Sequence, residues 1–216
     1  LSKTPITFRA GGTSLSGQSL GNGNIVEVLN HWQKFKIINN GKSIKMQPGL
    51  NAAFANKILE PYNRKIGPDP ASIKSACIGG IISNNSSGMV CGTKYNSYHT
   101  LKDLEFILPN GNKYDTANPQ ERLRFIENEP KLNRTILNIR KQILSNKKLI
   151  SKIRNKYRIK NTIGYSMNSF IDFDDPLDIF SHLLVGAEGT LAFISSITLN
   201  TIDDPPEKGT GLIIFN

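Results

Sequence analysis

Three glycine-rich segments carry the residue types that could hold a phosphorylated ligand. The first, residues 9–19, contains the spacing G-x-x-x-x-G-Q-S and lies one residue away from the P-loop of nucleoside triphosphatases. Gln18 stands where a P-loop has its lysine, so the fixed positive charge is missing. Residues 20–24, Leu-Gly-Asn-Gly-Asn, are a poor helix start, and Ile171-Asp172 is only a weak candidate for the metal-binding strand end of such enzymes. We therefore reject the P-loop interpretation.

The small residues of this first segment favour a different kind of phosphate site. Consecutive backbone amides of residues 11–14, Gly-Gly-Thr-Ser, can turn inward and form a concave anion-binding nest. The Ser16 hydroxyl adds a donor, and Arg9 can neutralise part of a diphosphate's charge. Such a loop suits a pyrophosphate, while a plain turn rich in small residues is the alternative.

The second segment, residues 66–98, is too long and too rich in glycine for an ordinary connector. Pro68 and Pro70 favour an extended backbone, and the pair Gly79-Gly80 lets a flat ligand approach the main chain closely. Residues 84–88, Asn-Asn-Ser-Ser-Gly, offer amides and hydroxyls at a bend. The sequence predicts a loop that holds a planar ligand with a polar edge.

The third segment, residues 185–191, opens a long apolar stretch. Glu188 in this segment can accept hydrogen bonds from the hydroxyls of a ligand or from local backbone amides. On these residues alone, the structural role is the better interpretation.

The elements that position these segments are short β-type runs separated by glycine and proline. Asn39-Asn40-Gly41 favours a hairpin turn, since Asn-Gly readily adopts positive φ, and Asn51 is a good helix N-cap. The pattern predicts an α+β architecture with hairpins, and not an alternating βαβ sheet. The predicted strands are residues 25–29, 35–38, 43–46, 104–108, 113–114, 191–199 and a last one beginning at 211–215, and the predicted helix is 52–59.

One segment carries the whole excess of the net charge of +10. Residues 120–160 hold 13 Lys and Arg against 3 Glu, which leaves 14 basic and 14 acidic residues elsewhere. Apolar residues recur at three- and four-residue steps with breaks at Pro130 and Ser145-Asn146, which predicts two or three amphipathic helices. The simplest interpretation is a solvated basic face. A docking surface for an acidic partner or a phosphate-bearing ligand is the alternative, and nucleic acid is disfavoured because aromatic side chains are scarce.

The remaining composition excludes several classes of protein. No apolar run reaches about 18 residues, so no transmembrane segment is predicted. Cys77 and Cys91 lack metal-site spacing and are typical of reduced thiols in a cytosolic protein. His31, His99 and His182 are scattered without neighbouring carboxylates, which favours surface or packing roles over catalysis.

The three segments together resemble the FAD-binding signatures of the vanillyl-alcohol oxidase/p-cresol methylhydroxylase (PCMH) superfamily, and most closely bacterial FAD-linked D-2-hydroxy-acid dehydrogenases. The resemblance covers nearly the whole chain and is carried by residues 9–17, 66–72 with 78–80 and 84–88, and 186–191. It implies a PCMH-type α+β fold with two subdomains, which is truncated in this chain. Residues 1–118 and 161–216 would form its core, and residues 119–160 would be a basic helical insertion. The substrate-binding cap domain is expected to be absent from this chain. Residues 155–162 resemble long relatives that also carry a C-terminal iron–sulfur region.

The resemblance also implies which residues bind FAD. Residues 10–14 would hold the pyrophosphate, the second segment would line the isoalloxazine and ribityl side, and the third would lie toward the adenosine or the sheet beneath it. Relatives that bond flavin covalently place histidine just after the glycine pair, so Thr13 implies non-covalent FAD. No catalytic or metal-binding residue is expected within the chain. The implied cofactor-binding residues are Arg9, Ala10, Gly11, Gly12, Thr13, Ser14, Leu15, Ser16, Gly17, Pro68, Asp69, Pro70, Ala71, Ser72, Ile78, Gly79, Gly80, Asn84, Ser87, Gly88, Gly92, Tyr95, Glu188, Gly189 and Ile194.

The activity that the resemblance implies is oxidation of a D-2-hydroxy acid, of the D-lactate, glycolate or D-2-hydroxyglutarate type, to the 2-oxo acid by hydride transfer to FAD. Electrons would leave to an iron–sulfur domain, a quinone or an electron-carrier protein. The expected location is cytoplasmic or peripheral at the inner membrane, and the chain alone is expected to turn over little. Two alternatives remain: the same FAD fold in an alditol oxidase or a cell-wall precursor reductase, or a non-enzymatic basic module that binds nucleic acid or an acidic partner.

Overall fold

The computed structural model describes residues 4–162, 164–207, 209 and 211–215. Within them a six-stranded antiparallel sheet packs with helices, and a two-stranded parallel sheet lies near the amino end. The strands are β1 (Ile6–Arg9), β2 (Asn24–Glu27), β3 (Phe35–Ile38), β4 (Ser43–Met46), β5 (Arg64–Ile66), β6 (Leu101–Ile107), β7 (Lys113–Asp115) and β8 (Phe193–Asp203). The helices are α1 (Ala52–Leu59), α2 (Ile78–Asn84), α3 (Ser97–Thr100), α4 (Gln120–Asn128), α5 (Pro130–Leu144), α6 (Lys147–Lys156), α7 (Ser169–Asp172) and α8 (Pro176–Leu184), and a 3-10 turn spans Glu60–Tyr62.

Strand β8 is the centre of the large sheet, whose order is β3-β4-β8-β6-β7. It pairs with β4 on one side and β6 on the other, and its last residues pair with β5. Ile44, Leu104 and Ile197 are at most 1% exposed and lie in the core between this sheet and the helices. The predicted strand at 191–199 is therefore confirmed as an element, although it begins at Phe193 and ends at Asp203.

The local signals in the first half of the chain are confirmed. Ile38 pairs with Ser43 across the first hairpin, and Asn39, Asn40 and Gly41 all have positive φ. Helix α1 spans the predicted residues, and its N-cap Asn51 accepts a hydrogen bond from the Phe54 amide at 3.0 Å. The second predicted hairpin is β6–β7, with β6 beginning three residues earlier than expected.

Two predictions about extended or irregular structure are wrong. Residues 211–215 form no strand, and the apolar side chains 212–215 are 75–89% exposed, because no other strand in the described residues pairs with them. The second glycine-rich segment is not one continuous loop, because it contains α2 and the first two residues of α3. In α2, Ile78, Ile81 and Ile82 follow helical spacing and are buried, so packing outweighs the low helix propensity of two glycines.

The basic segment folds into three helices with breaks at the predicted positions. Pro130 begins α5, and the N-cap Asn146 accepts from the Leu149 amide at 3.0 Å. Phe125 of α4 is fully buried and lies with its ring centroid 5.1 Å from that of Tyr114. The apolar faces of these helices therefore belong to the main core, while most of their basic side chains are exposed.

The parallel pairing of β1 with β2 was not predicted from the sequence. Phe8 of β1 stacks on Phe193 of β8 with ring centroids 4.0 Å apart, and the Trp32 ring lies 5.0 Å from that of Phe193. These aromatic contacts join the small sheet to the large one beside a groove. In the described part of the chain, none of the helices has both the length and the apolar character needed to cross a bilayer.

Candidate functional site

A groove of about 540 Å³ lies between the loop that follows β1, helix α2 and the start of β8. Its volume falls in the range of roughly 300–1,000 Å³ that is usual for small-molecule and cofactor sites. All three glycine-rich segments contribute to its lining. Residues that are far apart in the chain therefore converge on one concave surface.

The first segment is held against the second by a contact that only glycine permits. A Cβ atom at Gly11 would stand 2.4 Å from the carbonyl oxygen of Ser75, well inside van der Waals contact. Gly12 and Gly17 adopt φ of 64° and 81°, so the loop bends back after β1 at positions where larger residues would be strained. The backbone of this loop thereby forms one wall of the groove.

Arg9 braces the first segment instead of lining the groove. Its guanidinium donates to the Ser19 carbonyl oxygen from Nε at 3.0 Å and from Nη2 at 2.9 Å. Its Nη1 atom lies 3.5 Å from the Glu27 carboxylate. These donors close the base of the loop, and the expectation that Arg9 neutralises part of a diphosphate's charge stays a prediction.

Helix α2 lies along the groove and approaches its neighbours closely at its amino end. The Gly79 amide donates to the Pro48 carbonyl oxygen at 2.9 Å, and a Cβ at Gly79 would meet the Pro48 side chain at 2.6 Å. A Cβ at Gly80 would have only the Ala10 side chain near it, at 3.9 Å. Gly79 therefore permits packing inside the protein, whereas Gly80 leaves the backbone open toward the groove.

The third segment docks on the carboxyl end of α2. The Gly186 amide donates to the Ile82 carbonyl oxygen at 3.0 Å, and the Glu188 amide donates to Ser83 at 2.8 Å. The side-chain amide of Asn84 donates to the Glu188 carboxylate. Burial raises the pKa of Glu188, and the hydrogen bond from Asn84 opposes only part of that rise.

Asp69 lies outside the lining of the groove and holds the bend that follows α2. Its carboxylate accepts from the backbone amides of Gly88, Val90 and Cys91 at 2.9, 3.0 and 3.1 Å. Burial alone would raise the pKa of Asp69, but these amides and the Cys91 thiol donate to the carboxylate and lower it overall. A Cβ at Gly88 would stand 1.8 Å from the Asp69 carbonyl oxygen, so the bend after α2 packs directly on Asp69.

The structure divides the 25 expected cofactor-binding residues into a lining group and a supporting group. Seventeen line the groove: Ala10, Gly11, Gly12, Thr13, Ser14, Leu15, Ser16, Pro70, Ala71, Ser72, Gly79, Gly80, Asn84, Ser87, Glu188, Gly189 and Ile194. The other eight, Arg9, Gly17, Pro68, Asp69, Ile78, Gly88, Gly92 and Tyr95, lie outside the lining. Several of these hold the walls in place, as Arg9 and Asp69 do.

Sequence reasoning missed several lining residues, and Lys160 carries the most chemistry among them. It follows α6, and its Nζ atom donates to the Ser87 carbonyl oxygen at 2.6 Å. Residue 160 ends the basic segment 120–160, and the sequence alone does not distinguish it from the other cations there. Phe8, Val28 and Phe193 were also missed, since their convergence depends on the pairing of distant strands.

The histidines and cysteines take no part that would identify a metal or a base. None of the three histidines lines the groove, and His182 stacks on Phe173 with ring centroids 3.9 Å apart. Cys77 and Cys91 are buried free thiols, and burial raises the pKa of both. Within the described residues, no three His, Cys, Asp or Glu side chains group as metal ligands.

The lining fits a ligand with an anionic phosphate part and a flat apolar part. The small polar residues 11–14 and Ser16 line one wall, while Val28, Phe193 and Ile194 provide apolar surface. Gly80 leaves the α2 backbone accessible to such a ligand, since a Cβ there would have only the Ala10 side chain near it.

Comparison with known proteins agrees with this geometry. A sequence profile of the FAD binding domain family matches residues 2–117. The chain is 26% identical to D-2-hydroxyglutarate dehydrogenase of Haemophilus influenzae, over 91% of this chain and 20% of that protein. It is 32% identical to glycolate oxidase subunit GlcD of Bacillus subtilis, over 99% of this chain and 35% of that protein.

A likeness of fold extends to a solved structure. Alkyldihydroxyacetonephosphate synthase matches with a TM-score of 0.57 at 14% identity, over 94% of this chain and 28% of that chain. This chain thus spans about a fifth to a third of the length of the curated relatives named above.

Proposed function

Because this chain belongs to the FAD binding domain family, we propose that its groove holds FAD as part of an enzyme that oxidises a D-2-hydroxy acid to the 2-oxo acid. The convergence of the three glycine-rich segments on one groove of about 540 Å³ is the observation that carries this proposal. When bound, FAD accepts a hydride from the substrate carbon, and the protein supplies binding, orientation and electrostatics.

The first segment is suited to the pyrophosphate. Residues 10–14 and Ser16 lie in the lining, and their backbone amides and the Ser16 hydroxyl could donate to phosphate without carrying charge, whereas the Ser14 hydroxyl already donates to Gln18 Oε1. Since Arg9 is already bonded to Ser19 and Glu27, the phosphate charge would be met by main-chain donors in this wall. This arrangement favours binding of a diphosphate over its hydrolysis.

The two ring systems of FAD would occupy different parts of the groove. The apolar surface of Phe8, Val28 and Phe193 suits the adenine, and the wall from Ser72 to Ser87 along α2 suits the flavin ring. Cys77 also lines the groove, but burial raises the pKa of its thiol and keeps it protonated and unreactive. Together with Thr13 after the glycine pair, this supports non-covalent FAD.

The substrate class rests on the relatives named for D-2-hydroxyglutarate and glycolate oxidation, both of which are 2-hydroxy acids. The base that takes the hydroxyl proton would lie outside this chain, since no histidine lines the groove. Electrons would pass on to an iron–sulfur centre, a quinone or a carrier protein. The free thiols Cys77 and Cys91 support a cytoplasmic location, with attachment at the inner membrane surface as the alternative.

The domain organisation follows from the same family. We propose that residues 1–118 and 161–216 form the FAD-binding core and that 119–160 is an inserted helical segment. The family match ends at residue 117, just before α4 begins, which supports this division.

The proposal is tested with the full polypeptide that the gene encodes, loaded with FAD and kept free of oxygen. D-2-hydroxyglutarate, D-lactate and glycolate are added separately, with the L-enantiomers of the first two as matched controls. We expect one of the three to bleach the visible flavin absorbance and the L-enantiomers to have no effect. If dithionite reduced the bound flavin but none of the 2-hydroxy acids did, the proposed substrate class would be contradicted. The proposed binding of FAD would not be contradicted by that result.

A further inference from the structure

Lys160 places a positive charge in the lining of the groove. Among the described residues that line the groove, Lys160 carries the only positive charge and Glu188 the only carboxylate. No ion pair in the described residues includes Lys160, so its charge is not neutralised by a neighbouring acid. Within the described residues, its Nζ atom donates to the neutral carbonyl oxygen of Ser87.

Lys160 is an exposed residue whose ammonium group is held at the groove by its hydrogen bond to Ser87. Helix α6 ends at Lys156 and brings the chain to the groove, and the bond from Nζ to the Ser87 oxygen is 2.6 Å long. Ser87 is itself held by the bend whose next residue, Gly88, donates to Asp69 at 2.9 Å. An ammonium group has three donors, so two remain for a ligand beside Ser87.

Lys160 contacts Ser87, which follows the carboxyl end of α2 by three residues. Gly80, near the amino end of α2, faces Ala10 of the nest. Asn84 is about 6 Å further along the helix axis at 1.5 Å per residue, and Ser87 follows three residues later. A lysine serving the diphosphate would be expected beside the nest, so this placement favours the ring end of the groove.

We propose that Lys160 lies against the flavin ring of the bound FAD and stabilises the negative charge that the ring gains on reduction. This inference rests on the proposed binding of FAD in the groove. Hydride uptake adds two electrons and one proton to the ring, so the net charge of the ring falls by one. A cation held nearby favours the reduced form over the oxidised form, which is a means by which proteins adjust the potential of a flavin.

The test compares three variants of the full polypeptide that the gene encodes. Lys160→Met removes the charge and keeps an unbranched side chain, and Lys160→Arg keeps the charge. Arg158→Met is the matched control, since Arg158 is an exposed cation two residues earlier that does not line the groove. The measured quantities are the affinity for oxidised FAD and for ADP, by fluorescence titration, and the midpoint potential, against reference dyes.

Lys160→Met should bind oxidised FAD and ADP nearly as well as the unmodified protein. Its preference for reduced over oxidised flavin should fall about tenfold, which is about 30 mV toward negative potential for a two-electron couple. Lys160→Arg and Arg158→Met should keep the original potential.

Two results would overturn the proposal. An unchanged potential in Lys160→Met would show that the charge does not act on the ring. A parallel loss of FAD and ADP affinity at constant potential would place Lys160 at the diphosphate. Failure of the unmodified protein to take up FAD would be a different outcome, because it would contradict the proposed function itself.

Discussion

Gly11 lies so close to Ser75 that a Cβ atom at residue 11 would stand 2.4 Å from the Ser75 carbonyl oxygen. Residue 11 belongs to the loop after β1, and Ser75 precedes α2. The contact therefore joins the two walls of the groove through main-chain atoms alone. Because neither partner can turn aside like a flexible side chain, the spacing of the walls depends on the absence of a side chain at residue 11.

Gly11→Ala should force the two walls apart. Overpacking of this kind costs about 1–3 kcal/mol of folding free energy. We expect a lower urea midpoint and at least about tenfold weaker FAD binding, which corresponds to about 1.4 kcal/mol. Urea denaturation and fluorescence titration measure the two effects. FAD affinity equal to that of the unmodified protein would contradict the role assigned to this contact.

Gly80→Ala is the matched substitution on the other side of the groove. Its new methyl would have only the Ala10 Cβ nearby, at 3.9 Å, and alanine favours a helix over glycine by up to about 1 kcal/mol. We expect stability to be kept or raised while FAD binding weakens, because the methyl projects toward the ligand. Unchanged FAD affinity in this variant would mean that the ligand does not approach the α2 backbone.

Asp69→Asn should loosen the bend that follows α2. In the folded protein the pKa of Asp69 is lowered, so its stabilising effect is complete above the ordinary aspartate pKa of about 3.9 and is lost as pH falls through the lower folded pKa. An amide accepts fewer hydrogen bonds, and leaving buried donors unsatisfied costs about 1–3 kcal/mol.

The measurement for Asp69 is the urea midpoint as a function of pH. Asp69→Asn should be less stable than the unmodified protein at neutral pH, and the difference should shrink in acid. Glu207→Gln, at an exposed position, removes the same charge and should leave the curve unchanged. A constant difference down to the lowest pH would show that the carboxylate charge is not responsible.

Phe125→Ala tests whether the basic helices share the main core. Phe125 is fully buried, with its ring 5.1 Å from Tyr114 and 5.9 Å from Phe180. Deleting a buried phenyl ring costs about 3–5 kcal/mol, so the whole chain should unfold at lower urea in one transition. Phe54→Ala, at a position 47% exposed, should cost much less. A separate early transition for the helices would contradict a shared core.

The elements that the sequence predicted well are those with local signals. The turn Asn39-Asn40-Gly41 needs positive φ, and Asn51 caps α1 through its own side chain, so both can be read from a few neighbouring residues. Helix α8 has an equally local signal, since Asp175 caps it and Pro176 occupies its first turn.

The elements that escaped prediction depend on distant partners. Helix α2 is not predicted because the pair Gly79-Gly80 has low helix propensity. Its stability comes from burying Ile78 and Ile81 against the rest of the core. Lys160 reaches Ser87 across 73 residues, and no local pattern separates it from the other cations of its segment. The resemblance to FAD-binding signatures predicts that the three glycine-rich segments form one site. The three-dimensional structure is needed to distinguish the residues that line the groove from those that support it.

The most direct test of the account is a fluorescence titration of the full encoded polypeptide with FAD. We predict saturable uptake at an equimolar ratio, release of unmodified FAD when the protein is denatured, and clearly weaker uptake by Gly11→Ala. Absence of uptake by the unmodified protein would contradict the central claim that the groove between the first segment, α2 and β8 is a flavin site.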